Sequence, residues 1–292
     1  MPEGPEVETI RRGLLDVIQK NITKVKVAKS KKFYQHNKEI NSLISSTIID
    51  IERKGKFLIF KFSKNNTDSY ALNHLGMTGV WHYYSDKIWK NTIQSLDNLP
   101  HWKVYFQLSD NSHLIFVNIR TFGRFEICSI DTISHHSSIN NLGPDILDDV
   151  FDSSLFINRI RGNTKKPKTR EIGKALLDSK IVSGCGNIYK NEALFLSNIN
   201  PFTPSDLLSD KQLSTLAKNL HLVGHKALKF KGSTLRDYKH VDGYSGLMQN
   251  EFLVYDRQGE TCNTCKSKIL KSTQGDRASY WCINCQNNYL PE

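Results

Sequence analysis

Four cysteines near the C-terminus have the spacing of a metal site. They follow the pattern Cys262-x2-Cys265-x16-Cys282-x2-Cys285. Two CxxC pairs at this separation suit four thiolates around one tetrahedral Zn2+, and a full set of four thiolates leaves no open position for water. The pattern therefore predicts one structural zinc ion. Two disulfides in a secreted domain, or a redox CxxC pair, are the alternatives; because no apolar signal segment opens the chain, we expect zinc.

The first residues, MPEGPEVE, place two carboxylates close behind a proline. Removal of Met1 would leave Pro2 with a free secondary amine, followed by Glu3 and Glu6. An α-amino group has a pKa near 7.7–8.0, so on the order of a tenth of it is neutral and nucleophilic at pH 7. The same stretch is also typical of an ordinary helix start with acidic residues in its first turn.

A glycine-rich segment, IVSGCGNIYKNEALF, precedes a helical pattern in the second half. Gly184 and Gly186 free the backbone there, so that amide N–H groups at the helix start could face an anion. Asn187 would add a side-chain donor. An ordinary glycine turn with an asparagine cap is the alternative.

The charge balance points to a polyanionic partner. The 292 residues carry 40 Lys+Arg against 29 Asp+Glu, a formal net charge of +11, with a sequence pI of about 9.3. Nucleic acid is the commonest partner for such a surplus, and affinity should then fall steeply with salt. No apolar run approaches 18 residues, which argues against a membrane span. We expect a soluble, intracellular protein.

The chain must position these residues with a helix followed by antiparallel strands and then further helices, an α+β fold. Apolar residues from Val7 to Ile18 repeat at helical spacing. Strand patterns cover 22–30, 47–62, 70–82, 103–109 and 113–128, broken by polar turns. A basic loop at 163–170 precedes helical patterns at 171–179, 186–197 and 209–230.

Over nearly its whole length the sequence resembles the Fpg/Nei family of DNA glycosylases. The matching segments are MPEGPEVE, KGKFL, HLGMTG, RTFG, LGPD, GCGNIYKNEALF, GSTLRDY, VYDRQGE and RASYWCINCQ, in the family's order. The resemblance implies an N-terminal catalytic β-sandwich domain at 1–145, a helix–two-turns–helix DNA-binding domain at 146–240 and a zinc ribbon at 248–292. It also implies a monomeric, bifunctional DNA glycosylase and AP lyase of base-excision repair. Its partner would be damaged double-stranded DNA, and it would lie in the cell wherever the genomic DNA is.

The resemblance assigns catalytic roles at four positions. Pro2, freed of Met1, matches the nucleophile that attacks C1′ of a damaged nucleotide and forms an iminium ion, which allows strand cleavage by β,δ-elimination. Glu3 matches the proton-shuttling carboxylate. Glu6 matches a supporting acid, and Lys56 matches a lysine that contacts the lesion phosphate and assists the chemistry.

The resemblance also assigns DNA contacts. His74, Asn187 and Arg277 match phosphate-binding positions, and the zinc would stiffen the hairpin that carries Arg277. Three further residues match those that fill the hole left by the flipped nucleotide: Met77, Arg120 and Phe122. Asn118 and Thr121 depart from the family's frequent Asp-Pro-Arg-Arg-Phe-Gly, which leaves the preference for the opposite base open.

The branch of the family decides the substrate. Residues 232–262 follow the Fpg branch without a gap and imply a loop over oxidised purines such as 8-oxoguanine and formamidopyrimidines, which we expect to be the substrates. Gly4 instead resembles the Nei branch, so an enzyme for oxidised pyrimidines is the alternative. A catalytically silent zinc-ribbon DNA-binding protein is the rival class. A metal-dependent nuclease is a third, and its cleavage would be sensitive to EDTA. The segment 83–102 is longer than expected of bacterial relatives and receives no role.

Overall fold

The computed structural model describes residues 1–29, 37–162, 170–233, 245–287 and 289. The chain divides into two units. The first unit consists of Met1–Pro2, Glu6–Asn140 and Lys231–Gly246, and the second consists of Glu3–Pro5, Asn141–Phe230 and Leu247–Glu292.

In its described part, the first unit is built from two antiparallel sheets and short helices. One sheet has the order β1-β6-β7-β5 and the other the order β2-β3-β4-β8. The strands are β1 Ile22–Val27, β2 Thr47–Lys54, β3 Phe57–Lys64, β4 Thr67–His74, β5 Gly79–Tyr84, β6 Trp102–Leu108, β7 His113–Asn118 and β8 Arg124–Cys128. The helices are α1 Gly4–Gly13, α2 Asn37–Asn41, α3 Asp86–Ile88 and α4 Ile130–Ser134.

Aromatic side chains from both sheets meet in the core of the first unit. The ring centroids of Phe60 in β3 and Trp81 in β5 are 5.2 Å apart, and Trp81 also packs against Phe116 and Phe125. Each fully buried aromatic residue removes a large apolar surface from water, which is the main stabilising contribution to such a sandwich. The predicted α+β class and the β-sandwich are confirmed.

Helix α1 closes this core on one side. Pro5 lies in its first turn, where the missing N–H of proline is not needed for helical hydrogen bonding. Val7, Ile10 and Leu14 follow at helical spacing and are completely buried in the core of the first unit. The periodicity seen in the sequence therefore corresponds to the buried face of α1.

Three of the predicted strand segments are each two strands joined by a turn. The segment 47–62 is the β2–β3 hairpin, which turns at Gly55–Lys56. The segments 70–82 and 113–128 turn around Gly76 and Thr121, and there the chain passes from one sheet to the other. Gly55, Gly76 and Thr121 all have positive φ (57°, 68° and 55°), which an extended strand does not allow. The apolar and β-branched residues on both sides of each turn made the pairs resemble single long strands.

In the described part of the second unit, helices enclose a separate core. They are α5 Ser153–Arg161, α6 Ile172–Ala175, α7 Asn187–Leu196 and α8 Asp210–Lys229. Helix α8 begins with a capping box in which Ser209 and Gln212 bond reciprocally, and it ends near the predicted residue 230. Among the described residues, no helix is both long enough and apolar enough to cross a bilayer.

A hairpin near the C-terminus carries the cysteine pairs. Strands β9 Ile269–Gln274 and β10 Arg277–Cys282 pair antiparallel, with Gln274 opposite Arg277. The turn between them consists of Gly275, with φ of +64°, and Asp276. A two-residue turn that opens with a positive-φ glycine suits a tight hairpin.

Candidate active site

The carboxylate of Glu3 lies at the N-terminus of helix α7. The backbone N–H of Gly186 donates to Oε2 (2.8 Å), that of Ile188 donates to Oε1 (2.9 Å) and that of Tyr189 donates to Oε2 at 3.4 Å. These donors belong to the first turn of a helix, whose partial positive charge favours a negative ligand. Glu3 is only 3% exposed. The glycine-rich segment was predicted to bind an anion, and here the anion is the protein's own carboxylate.

Glycines make this approach of backbone to carboxylate possible. The N–H of Gly4 donates to the carbonyl of Gly184 at 2.7 Å, which fixes the chain directly after Glu3. Gly184 itself has φ of +77°, a conformation that favours glycine. Asp145 holds the same segment by accepting a hydrogen bond from the hydroxyl of Ser183 at 3.0 Å. Glu3 is therefore held by both its backbone and its side chain.

Pro2 is buried, whereas Met1 is 45% exposed. With Met1 in place, the proline nitrogen is part of an amide and has no basic lone pair. The exposed position of Met1 is consistent with its removal by an aminopeptidase before or after folding.

Glu6 accepts two hydrogen bonds from Ser233, one from the backbone N–H (2.7 Å) and one from the hydroxyl (3.1 Å). Gly232 precedes it with φ of +76°, and a Cβ there would lie 2.9 Å from Oε1 of Glu6. Glu6 therefore anchors the start of the segment that the sequence assigned to purine recognition. Residues 234–244 of that segment lie outside the described residues.

Lys56 and His74 lie at the same end of one sheet. Lys56 occupies the turn between β2 and β3 rather than a strand, so its expected strand context is wrong. The next residue, Phe57, pairs directly with His74 across β3 and β4, and their rings are 4.9 Å apart. The structure thus brings these two predicted phosphate contacts together.

Two loops that carry the predicted void-filling residues pack against each other. Arg120 and Phe122 are exposed, and the guanidinium carbon of Arg120 lies 5.3 Å from the ring centroid of Phe122. The N–H of Arg120 donates to the hydroxyl of Thr78 at 3.0 Å, and Thr78 directly follows Met77. Met77 is half-buried. The three residues therefore lie on connected loops and not in the core.

The departure from the family pattern lies inside this pair of loops. Asn118 is fully buried, and its Oδ1 accepts a hydrogen bond of 3.3 Å from the hydroxyl of Thr78. Thr121 is exposed with φ of +55°, an unfavourable conformation for a β-branched residue. Asn118 thus connects the loops, while Thr121 stores backbone strain.

Helix α7 also holds the β9–β10 hairpin. The side-chain amide of Asn187 donates to the carbonyl of Ala278 at 2.9 Å, and Asn191 accepts from the N–H of Tyr280 at 3.0 Å. Arg277, adjacent to Ala278, is exposed at the start of β10. The structure therefore brings Asn187 to the segment that carries Arg277.

Two buried charged residues of α7 were not identified from the sequence. Lys190 is completely buried and donates to the hydroxyl of Ser279 at 2.8 Å. Burial lowers the pKa of Lys190 to about 8, although the charges of Cys185 and Glu3 partly oppose this. Glu192 accepts N–H groups from Leu253, Val254 and Tyr255. The available signal was three consecutive polar residues, Lys190 to Glu192, inside an otherwise apolar helix.

The four patterned cysteines come together at the base of the hairpin. Their sulfur atoms all lie within 4.8 Å of one another. The Sγ atoms of Cys265 and Cys282 are 3.3 Å apart and those of Cys262 and Cys285 are 3.9 Å apart. Sulfur ligands at about 2.3 Å from a tetrahedral zinc are separated by about 3.8 Å, so these residues fit the metal. A disulfide needs about 2.05 Å.

The comparison with models of known protein families shows which family this chain belongs to. Residues 1–125 match the formamidopyrimidine-DNA glycosylase N-terminal domain, and residues 142–239 match the formamidopyrimidine-DNA glycosylase H2TH domain. The chain belongs to the formamidopyrimidine-DNA glycosylase family. The resemblance inferred from the motifs is confirmed.

Individual members of the formamidopyrimidine-DNA glycosylase family match over their full length. A formamidopyrimidine-DNA glycosylase of Caulobacter vibrioides is 33% identical, over 98% of this chain and 100% of the relative. Wild-type Lactococcus lactis Fpg, solved with DNA containing N7-benzyl-Fapy-dG, has 30% identity and a TM-score of 0.82 over 98% and 100% of the two chains. The same enzyme with abasic-site DNA has 29% identity and a TM-score of 0.83 at the same coverage.

Proposed function

We propose that this protein is a bifunctional DNA glycosylase and AP lyase of base-excision repair that excises oxidised purines, 8-oxoguanine and formamidopyrimidines among them. The observation that carries the proposal is the carboxylate of Glu3, held at the N-terminus of α7 directly behind Pro2. A zinc-ribbon protein that only bound DNA would have no need of this arrangement. Family membership and the Fapy-dG complex of a relative support the choice of purines.

In the proposed reaction the amine of Pro2, freed of Met1, attacks C1′ and displaces the damaged base. The resulting iminium ion acidifies the C2′ proton, so that successive eliminations cleave the strand. Glu3 accepts and returns protons at the opening sugar and at C2′. Hydrogen bonds from Gly186 and Ile188 hold its carboxyl group in one orientation while it does so.

The remaining site residues would bind and hold the DNA. Lys56 and His74, which lie at one end of a sheet, would contact phosphates near the lesion, and Asn187 and Arg277 would also contact phosphates. Met77, Arg120 and Phe122 would fill the space left by the flipped nucleotide. Glu6 would support the site by anchoring Ser233.

One zinc ion bound by the four cysteines would supply rigidity and no chemistry, since four thiolates complete its coordination. The cysteines flank β9 and β10, so they would fix the hairpin on which Arg277 is exposed. We propose domains at 1–145, 146–240 and 248–292, a monomeric protein, and a location inside the cell with the genomic DNA.

Borohydride trapping tests this function. Protein whose mass shows the loss of Met1 is incubated with labelled duplexes that contain either 8-oxoguanine or an oxidised pyrimidine, with Pro2→Gly in parallel. A covalent adduct on 8-oxoguanine that is absent with Pro2→Gly is expected. An adduct on the pyrimidine duplex alone would keep the imine mechanism but assign a Nei-type substrate. No adduct from processed protein that binds DNA would leave only the binding function.

A further inference from the structure

The segment 83–102 builds a second, smaller core on the outer face of the first unit's sheet. It contains α3, a wide helical turn at Trp89–Ile93 and a 3-10 turn at Leu96–Asn98. Trp89 and Leu96 are buried against outward-facing residues of the sheet, Val80, Ile115 and Val117. These sheet residues lie on β5 and β7, so the segment covers that half of the sheet.

The other half of the same face is polar and basic. Lys24 in β1 pairs with Gln107 in β6, which pairs with His113 in β7. In the neighbouring row, Lys26 pairs with Tyr105. Alternate residues of a strand share a face, so Lys24 and Lys26 project to the side opposite Val25, which is in the sandwich core.

A cavity lies between this basic half and the segment 83–102. Its volume is about 480 Å³, within the range of about 300–1,000 Å³ that is usual for small-molecule sites. Lys24 and Lys26 line it from the sheet, and Lys90, Gln94 and Ser95 line it from the segment. Asp86 also lines it, but its carboxylate is paired with Lys90 at 2.7 Å. The lining therefore has a net positive charge.

A buried imidazole lines the same cavity with one nitrogen unused. His113 is 4% exposed, and its Nδ1 lies 2.9 Å from the hydroxyl of Tyr105. Its Nε2 is buried and has no hydrogen-bond partner among the described residues. Burial lowers the pKa of His113, which favours the neutral ring. When the hydroxyl donates to Nδ1, Nε2 carries the proton and is a buried donor without a partner, which costs free energy.

Trp89 restricts what the ligand can contact. Its ring stacks on His113 with centroids 4.1 Å apart and is 8% exposed, so it closes one face of the imidazole. A ligand therefore meets side-chain edges, amides and ammonium groups rather than an open aromatic face. Such donors suit an anion with several oxygen acceptors.

We propose that this cavity binds a small phosphate-bearing molecule of about the size of a nucleoside monophosphate, with its phosphate held by Lys24 and Lys26. The site is separate from the proposed catalytic residues and does not depend on them. The segment 83–102, for which no motif predicts a role, would supply one wall of it.

Calorimetric titration tests the proposal, with adenosine 5′-monophosphate as the probe and adenosine as the matched ligand without phosphate. We expect the monophosphate to bind with a Kd below about 1 mM and adenosine to show no binding. Lys24→Ala combined with Lys26→Ala should weaken the monophosphate at least about tenfold. Lys87→Ala is the control, because Lys87 is exposed three residues from Lys90 and does not line the cavity.

Two results would overturn the proposal. The first is the absence of binding by both the monophosphate and inorganic pyrophosphate to folded wild-type protein. The second is monophosphate binding that the double lysine variant leaves unchanged. If the double variant weakens only the affinity for duplex DNA, the lysines belong to the DNA-binding surface and the cavity is not a ligand site.

Discussion

Glu3 occupies the space that a side chain at position 186 would fill. A Cβ on Gly186 would lie 2.5 Å from Oε1 of Glu3 and would also overlap its Cδ. The φ angle of Gly186 is −132°, which any residue can adopt. The requirement for glycine at this position is therefore steric and comes from the carboxylate.

Gly186→Ala should reduce strand cleavage by about 100-fold, because displacement of a catalytic group by about 1 Å has an effect of that order. Binding to a duplex with a stable abasic-site analogue should change little. Single-turnover cleavage and fluorescence anisotropy measure the two effects. The double variant with Glu3→Gln should be no slower than Glu3→Gln alone. Independent, multiplicative losses would show that Gly186 does not act through Glu3.

Cys282→Ser should remove the bound metal and abolish the affinity for duplex DNA, because the hairpin that presents Arg277 would lose its rigidity. Elemental analysis should give one zinc per wild-type chain and none in the variant. Cys128→Ser is the control, since Cys128 lies in β8, outside the cluster. Wild-type DNA affinity in a zinc-free variant would contradict the assigned role of the metal.

Lys190→Met should change how stability depends on pH. Burial lowers the pKa of Lys190 to about 8 in the folded state, against about 10.4 when unfolded. Between these values the unfolded state binds more protons, so the contribution of Lys190 to the free energy of unfolding rises with pH by up to about 3 kcal/mol.

Urea denaturation at several pH values between 7 and 10 measures this contribution as the difference between wild type and Lys190→Met. The wild type should gain stability relative to the variant as the pH rises. Lys229→Met, on an exposed position of α8, should give a difference that does not vary with pH. A constant difference for Lys190→Met as well would mean that Lys190 titrates normally.

Thr121→Asn should stabilise the first unit by about 1 kcal/mol, because asparagine tolerates the positive φ that a β-branched residue disfavours. The free energy of unfolding in urea measures the gain. Thr67→Asn provides the comparison, since Thr67 is exposed in β4 at a negative φ. A destabilised Thr121→Asn variant would indicate that contacts of the threonine outweigh its backbone strain.

Helices α1, α7 and α8 and the strands of the first unit could be predicted because their buried faces are regular, whereas α2 to α5 were not predicted. One helical pattern was predicted too long: 171–179 gives only the four residues of α6, Ile172–Ala175. The side chain of Asp178 accepts a hydrogen bond from the N–H of Lys180 at 3.0 Å. Such a local side-chain turn competes with the helix and ends it, and periodicity does not reveal it.

The candidate catalytic residues were identified from motifs, but their hydrogen-bond partners in the fold were not. No local pattern connects Glu3 with the N–H groups of residues 186–189, since the bond to Gly186 spans 183 positions. Glu192 was missed for a related reason. A charged residue is expected to be exposed, and only the fold brings the N–H groups of Leu253, Val254 and Tyr255 to its carboxylate.

The distance along the chain between Glu3 and Gly186 has a consequence during protein synthesis. A ribosome adding about 5–20 residues per second needs roughly ten to forty seconds to cover those 183 positions. Throughout that interval the donors of the first turn of α7 do not yet exist, and the start of the nascent chain cannot dock on them. The carboxylate of Glu3 can therefore reach its place at the N-terminus of α7 only after synthesis has passed the middle of the chain.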